Sequence, residues 1–250
     1  GVEKDPRAWI VREGKKRTEP TPYDDYPNPK AAPVRLYLGP GGNGTGRLGF
    51  KARAGQGAEK LIDNYEFKGA TLASEAKSEH RLLYATGRLS RPVHLSGTSS
   101  IRIKVSSSQP AANLSVWLVS LPWTKGGRTN DNLISRGWAD PQNHESLRES
   151  KPLEPGKFYE LSFDFQPDDQ VIPVGQRIGL MIFSSDKDFT LWPKPGTELT
   201  VELGATSIEL PVVGGPRALR RATTPKRRRL SAPGVPIHHP LLRTNGLGGF

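Results

Sequence analysis

Alternation of apolar and polar side chains recurs along most of this chain, and no other feature constrains its fold as tightly. A strand with one buried face needs this period of two, because successive side chains point to opposite sides. Val34, Leu36 and Leu38 alternate with Arg35 and Tyr37, and Ile101, Ile103 and Val105 with Arg102 and Lys104. Tyr159, Leu161, Phe163 and Phe165 alternate with Glu160, Ser162 and Asp164, and Leu199 to Leu203 and Ile208 to Val212 repeat the pattern. Residues 114–119 and 178–183 are apolar on both faces, as central strands of two packed sheets are. Roughly ten strands are implied.

Strong breakers separate these runs: 39–44, 106–111, Glu154-Pro155-Gly156, 166–169 and 193–196. The 27 glycines and 23 prolines suit short strands joined by tight turns. No window carries a sustained stripe of period 3.6; residues 57–63 and 143–149 hold at most a helical turn or two. A parallel α/β sheet, which needs crossover helices, is therefore not expected. The expected class is all-β, a two-sheet sandwich in one domain.

The formal charge of +11 is unevenly placed. Pro216 to Phe250 carries eight basic residues and no acid, leaving 28 basic against 25 acidic residues, or +3, over the first 215. A basic partner signal thus belongs to the tail alone, where Lys226-Arg227-Arg228-Arg229 is a compact cluster of low specificity. Beyond Gly215 the alternation stops, and apolar content is too low to offset ordering entropy, so a disordered basic tail is expected and nucleic acid is not the expected partner. Cysteine is absent, which excludes disulfides, thiolate zinc ligands and thiol nucleophiles. No apolar run approaches the roughly 18 residues of a membrane span, and the start lacks both Met and a signal-peptide pattern. The chain reads as a soluble fragment whose natural amino terminus lies upstream, with secreted and cytoplasmic locations both open.

Motifs of chemistry fail on context. Gly-x-Ser-x-Gly, whose glycines permit the strained turn that exposes a nucleophilic serine, does not occur. Gly44-Thr45-Gly46-Arg47-Leu48-Gly49 has the letters of a dinucleotide fingerprint, but residues 50–55 are not an amphipathic helix able to hold a pyrophosphate, so a hairpin loop is expected. His144-Glu145-Ser146-Leu147-Arg148 starts like a zinc-protease helix, yet Arg148 stands where the second ligand belongs. His80, His94, His238 and His239 form no spaced ligand set; His94 reads as a strand residue facing its own hydrogen-bond partner. The pairs Asp168/Asp169 and Asp186/Asp188 read as turn residues rather than a calcium site or an acid and base. Trp117 is expected in the core, whereas Trp123, Trp138 and Trp192 lie near loops, where exposed indoles would suit a carbohydrate-binding module. No catalytic, cofactor-binding or metal-ligating residue is assigned.

Particular segments carry a resemblance. Pro6-Arg7-Ala8-Trp9-Ile10-Val11-Arg12 with Tyr23-Asp24-Asp25-Tyr26-Pro27 resembles the linker strand leading into the carboxy-terminal domain of bacterial Xaa-Pro dipeptidyl-peptidases. Leu95-Ser96-Gly97-Thr98, Ala112-Asn113-Leu114-Ser115-Val116, Ile134-Ser135-Arg136-Gly137-Trp138, Pro173-Val174-Gly175-Gln176-Arg177-Ile178 and the run from Asp188 to Thr197 follow in the family's order. The resemblance covers about residues 5–214 and departs from the pattern in the tail after Gly215, where an aberrant terminus is suspected.

That family, which includes cocaine-esterase-like and amino-ester hydrolases, implies an α/β-hydrolase domain with a Ser-Asp-His triad followed by a jelly-roll domain. It therefore implies a triad upstream of Gly1, a galactose-binding-domain-like jelly roll here, no cofactor, and loops that help wall a pocket for peptides with proline in second position. The partner implied is the α/β-hydrolase domain of the parent chain, with peptide substrate only in that context. The expected organisation is a linker and lead-in strand over 1–30, a β-sandwich over 31–213 and the tail over 214–250. A jelly-roll carbohydrate-binding module is the alternative.

Overall fold

The computed structural model describes residues 2–11, 19–124 and 128–224. A small antiparallel ribbon comes first, β1 (Ala8–Ile10) with β2 (Thr21–Tyr23). The body follows as β3 (Ala31–Gly39), β4 (Gly46–Gly49), β5 (Ala58–Ile62), α1 (Gly69–Ser74), β6 (Leu82–Ala85), β7 (Val93–Gly97), β8 (Ser100–Ser107), β9 (Leu114–Leu121) and β10 (Leu133–Ala139). It closes with β11 (Phe158–Asp164), β12 (Asp168–Ile172), β13 (Arg177–Phe183), β14 (Glu198–Glu202), β15 (Ser207–Val213) and α2 (Gly215–Thr223). The all-β expectation holds.

One layer runs β10-β9-β13-β6-β4, antiparallel except for the parallel β4–β6 pair. In the other, β7 and β8 lie between β12 and β11 on one side and β15 and β14 on the other. Strand β3 joins the layers, pairing with β15 through residues 31–37 and with β4 through 37–39. Between them lies one core to which β9 contributes Leu114, Val116 and Leu118, β13 Ile178, Leu180 and Ile182, and β8 Ile101, Ile103 and Val105. Each such side chain contributes roughly 1.5–3 kcal/mol by leaving water.

The two layers differ on their outer faces, as their sequence patterns require. Trp117, Val119 and Leu121 of β9, Met181 and Phe183 of β13, and Leu83 and Ala85 of β6 form a second cluster with Leu72 and Ala73 of α1. The short helix roofs that sheet, and Gly69 lets it approach, since a Cβ there would lie 2.3 Å from the Trp117 ring. The β8 layer faces water and carries cross-strand ion pairs instead: Arg102–Glu160 at 2.6 Å, Arg35–Glu209 at 3.2 Å, Lys104–Glu202 at 2.7 Å and Lys60–Glu198 at 2.6 Å. Exposed pairs of this kind contribute only about 0–1 kcal/mol each, so they mark a solvated face rather than a source of stability.

Arg81 ties the roof down. Its guanidinium is 0% exposed and meets only carbonyls: Leu72 O at 3.1 Å, Glu75 O at 2.7 Å, Gly42 O at 2.7 Å, Asn43 O at 3.2 Å and Gly44 O at 2.6 Å. One cation thereby fastens the end of α1 to the glycine-rich 41–44 turn, and burial pulls its pKa down.

Four expectations are corrected. Residues 57–63 hold strand β5, not a helical turn, because Leu61 must enter the core opposite Leu199. Asp168 and Asp169 open β12 and pair with Gly97 and Ser96, so they are not turn residues. The helix at 69–74 was not anticipated: six residues are too few for a 3.6-residue period to show against the strands around them. Finally, the chain does not become a disordered tail at 214. Helix α2 spans Gly215–Thr223, buries Leu219 and Ala222 in the main core, and lays Arg220 4.1 Å above the Phe50 ring. Ser90 Oγ donates to the last carbonyls of this helix, including Ala222 O at 3.0 Å. Residues 225–250, with the basic cluster and His238 and His239, lie outside the described residues, as does Arg12.

Candidate functional site

The most distinctive surface lies at one end of the sandwich, where β13 leaves the sheet at Ser184. Ser115 Oγ donates to Ser184 O at 2.7 Å, and the backbone N and Oγ of Ser185 both donate to the buried Asp63 carboxylate at 2.8 Å. Asn113 Nδ2 reaches Ser185 Oγ and Leu191 O, each at 2.9 Å. The loop after β13 is thus pinned at both ends.

Asp186 organises what lies between. It is 1% exposed, and its Oδ2 accepts the indole N–H groups of Trp117 at 2.9 Å and Trp138 at 3.3 Å. Burial pushes this carboxyl above the usual carboxylate range; the two indole bonds and nearby Arg136 oppose the shift, and Asp188 adds to it. Its carbonyl accepts from Phe189 N at 2.8 Å and Thr190 N at 2.9 Å, closing a tight turn.

That turn holds three large apolar side chains outward: Phe189 is 52% exposed, Leu191 85% and Trp192 59%. Phe189 packs on Trp138 with centroids 5.3 Å apart, and the Arg136 guanidinium lies 3.9 Å above Phe189 and 5.4 Å above Trp138. Trp192 stacks parallel on Tyr65 at 5.5 Å and donates its indole N–H to Lys187 O at 2.7 Å. Arg136 makes no ion pair among the described residues, its one side-chain hydrogen bond being a 3.3 Å contact to Gln166 Oε1.

Other candidate positions resolve into structure. Trp117 is core, and Trp123 is half-buried against the outer cluster. The Gly44–Gly49 segment lies in the β3–β4 hairpin, Gly46–Gly49 being strand; the neighbouring amides of Gly41 and Gly42 are occupied by the Glu59 carboxylate at 2.6 and 2.9 Å, which also accepts the Tyr84 hydroxyl at 2.7 Å. Desolvation and that carboxylate raise the Tyr84 pKa. His144 lies against Tyr159 and contacts Pro141 O at 3.1 Å.

His94 Nε2 lies 3.0 Å from Asp169 Oδ1, and the Tyr23 hydroxyl reaches both at 3.5 and 3.4 Å. Together with Tyr26 OH to Asp168 O at 3.3 Å and Asn28 N to Ser96 Oγ at 2.9 Å, this fastens the lead-in segment to β7 and β12. Among the described residues no Ser or Thr hydroxyl is hydrogen-bonded to a histidine ring, and no three acidic or histidine side chains gather as metal ligands.

A family model described as the X-Pro dipeptidyl-peptidase C-terminal non-catalytic domain matches residues 1–229. The chain belongs to that family. The match takes in α2, so the likeness runs past residue 214, and that helix is no departure from the family pattern. A Rhodopirellula baltica protein named as an Xaa-Pro dipeptidyl-peptidase is 57% identical over 217 residues, covering 86% of this chain and 35% of its own length. A Bacillus cereus protein of the same name is 32% identical over 217 residues, covering 85% of this chain and 35% of its own. This C-terminal domain therefore spans about a third of the length of the curated relatives it matches. Among solved structures, an aminopeptidase from a marine sediment Thaumarchaeota archaeon superposes with TM-score 0.64 at 20% identity, over 83% of this chain and 41% of that one, a likeness of fold.

Sequence reasoning placed Trp138 and Trp192 near the surface but missed Arg136, Tyr65 and the burial of Asp186. The Arg136-Gly137-Trp138 spacing was the available signal, since it puts the guanidinium and the indole on one strand.

Proposed function

We propose that this chain is the accessory C-terminal domain of a serine peptidase that releases N-terminal Xaa-Pro dipeptides. In that enzyme it steadies an upstream α/β-hydrolase domain and helps wall the peptide pocket, while the hydrolase serine forms the acyl-enzyme. Residues 1–30 are the connection to that domain, clasped to the sandwich through Tyr23, Tyr26 and Asn28. The observation that carries the reading is the match of residues 1–229 to a non-catalytic domain, in a chain whose match spans about a third of its relatives' length.

A direct test replaces the matching C-terminal region of the Rhodopirellula baltica relative with this chain. The chimera is expected to cleave Gly-Pro-p-nitroanilide, and the purified 250-residue chain to leave it intact. Cleavage by the chain alone, abolished by a serine-directed reagent, overturns the proposal, as does an inactive, folded chimera.

A further inference from the structure

The loop after β13 concentrates exposed apolar side chains in four residues. Of nine large apolar side chains left in water among the described residues, three fall within residues 189–192. They are not there because the loop is loose. Asp186 is buried beneath them, its carboxylate spent on two indole N–H groups and its carbonyl on the turn. Burying a carboxylate is costly, and here the cost is tolerated at the base of the turn that carries Phe189, while Asn113 and Lys187 O hold Leu191 and Trp192. A contiguous exposed apolar patch on a rigid base marks an interaction surface. Its chemistry is specific too: Arg136 lies on two aromatic faces at the rim of the patch and makes no ion pair among the described residues, feeling only the through-space field of the buried Asp186.

Among the described residues the other broad faces carry only scattered exposed apolar side chains, such as Phe158 and Val171. The outer face of the β9 layer is roofed by α1, and the outer face of the β8 layer is a ladder of satisfied ion pairs. The occupant follows from chain length. The relatives carry about two-thirds of their length outside the region matched, and the family places that region at the C-terminus. Resting on the function proposed above, we infer that this end of the sandwich is the seat of the upstream hydrolase domain, which meets Phe189, Leu191 and Trp192 with an apolar ridge and Arg136 with an acidic side chain.

The chimera described above tests this by hydrogen exchange. Amides of residues 184–192 are expected to exchange at least tenfold more slowly in the chimera than in the isolated chain. Arg136→Glu, or Phe189→Ala combined with Leu191→Asp, is expected to abolish that protection and split thermal unfolding into two transitions. Arg35→Ala with Arg102→Ala, on the ion-pair ladder, is expected to change neither. Protection confined to another face, with 184–192 unchanged, overturns the surface and leaves the accessory role standing. Two independent transitions in the unmodified chimera, with no protected face, overturn both. Concentration-dependent protection of 184–192 in the isolated chain, or retention of that chain on polysaccharide gels lost with Trp192→Ala, assigns the patch to a second copy or a sugar and equally overturns the inference.

Discussion

Arg81→Met is the substitution whose cost can be worked most directly from the geometry. Methionine keeps most of the aliphatic volume and removes five donated hydrogen bonds. Asn43, Gly44 and Glu75 sit at least partly in solvent, so water can replace the lost donor at their carbonyls; Gly42 is buried but its carbonyl keeps the Leu83 N–H at 2.8 Å, which leaves only the buried Leu72 carbonyl without a replacement. A buried carbonyl left without a partner costs about 1–3 kcal/mol, and the bond lost at Gly42, whose carbonyl keeps a second donor, adds about 0.5–1.5 kcal/mol. Against this stands relief from burying a cation that has no carboxylate within bonding distance, a gain of the order of a few kcal/mol at most. We expect a net loss of about 1–2 kcal/mol, a sizeable share of the roughly 5–15 kcal/mol that holds a domain together. Urea unfolding followed by tryptophan fluorescence should show a midpoint lowered by about 0.5–1 M with unchanged slope. Arg81→Lys keeps the charge but not the planar fork that reaches both the helix and the turn, and should recover less than half of the loss. A midpoint for Arg81→Met within about 0.3 M of the parent, or full recovery by lysine, would refute the view that this cation staples α1 to the glycine turn.

Two further substitutions test the packing of the same region. Gly69→Ala should destabilise, although alanine favours helix by up to about 1 kcal/mol, because its methyl would press on a Trp117 ring that Asp186 and Phe183 hold in place. Overpacking of this kind costs about 1–3 kcal/mol, and a raised melting temperature by calorimetry would contradict it. Asp186→Asn probes the buried carboxyl through pH. Because the folded pKa is raised, its contribution to stability is fully present below the unfolded value, about 3.9, and is lost as pH rises through the folded value. The melting temperature of the asparagine variant relative to the parent should therefore climb between pH 4 and pH 7. A difference that stays flat across that interval would place the carboxyl in an ordinary solvated state.

What the residues alone determine here is periodic. Alternation around Ile101–Val105 and Tyr159–Phe165 places one face of β8 and β11 in the core, and the unbroken apolar runs of β9 and β13 require cover on both faces, because a side chain's direction along a strand depends on parity and nothing else. The absence of a serine elbow is equally local, since that motif is contiguous. Which cover β9 and β13 receive is not local. Helix α1 is too short to announce itself and holds its place through Gly69 against Trp117 and through Arg81, contacts between residues 6 to 48 positions apart. Helix α2 lies in a segment of low average hydropathy, and only docking lets two apolar side chains, Leu219 and Ala222, order it. Asp186 reads as a turn residue from its neighbours, yet its indole partners come from 69 and 48 positions away. Strand parity follows from backbone stereochemistry, which each residue carries with it; burial, charge state and surface are decided by groups that meet only when the two layers close.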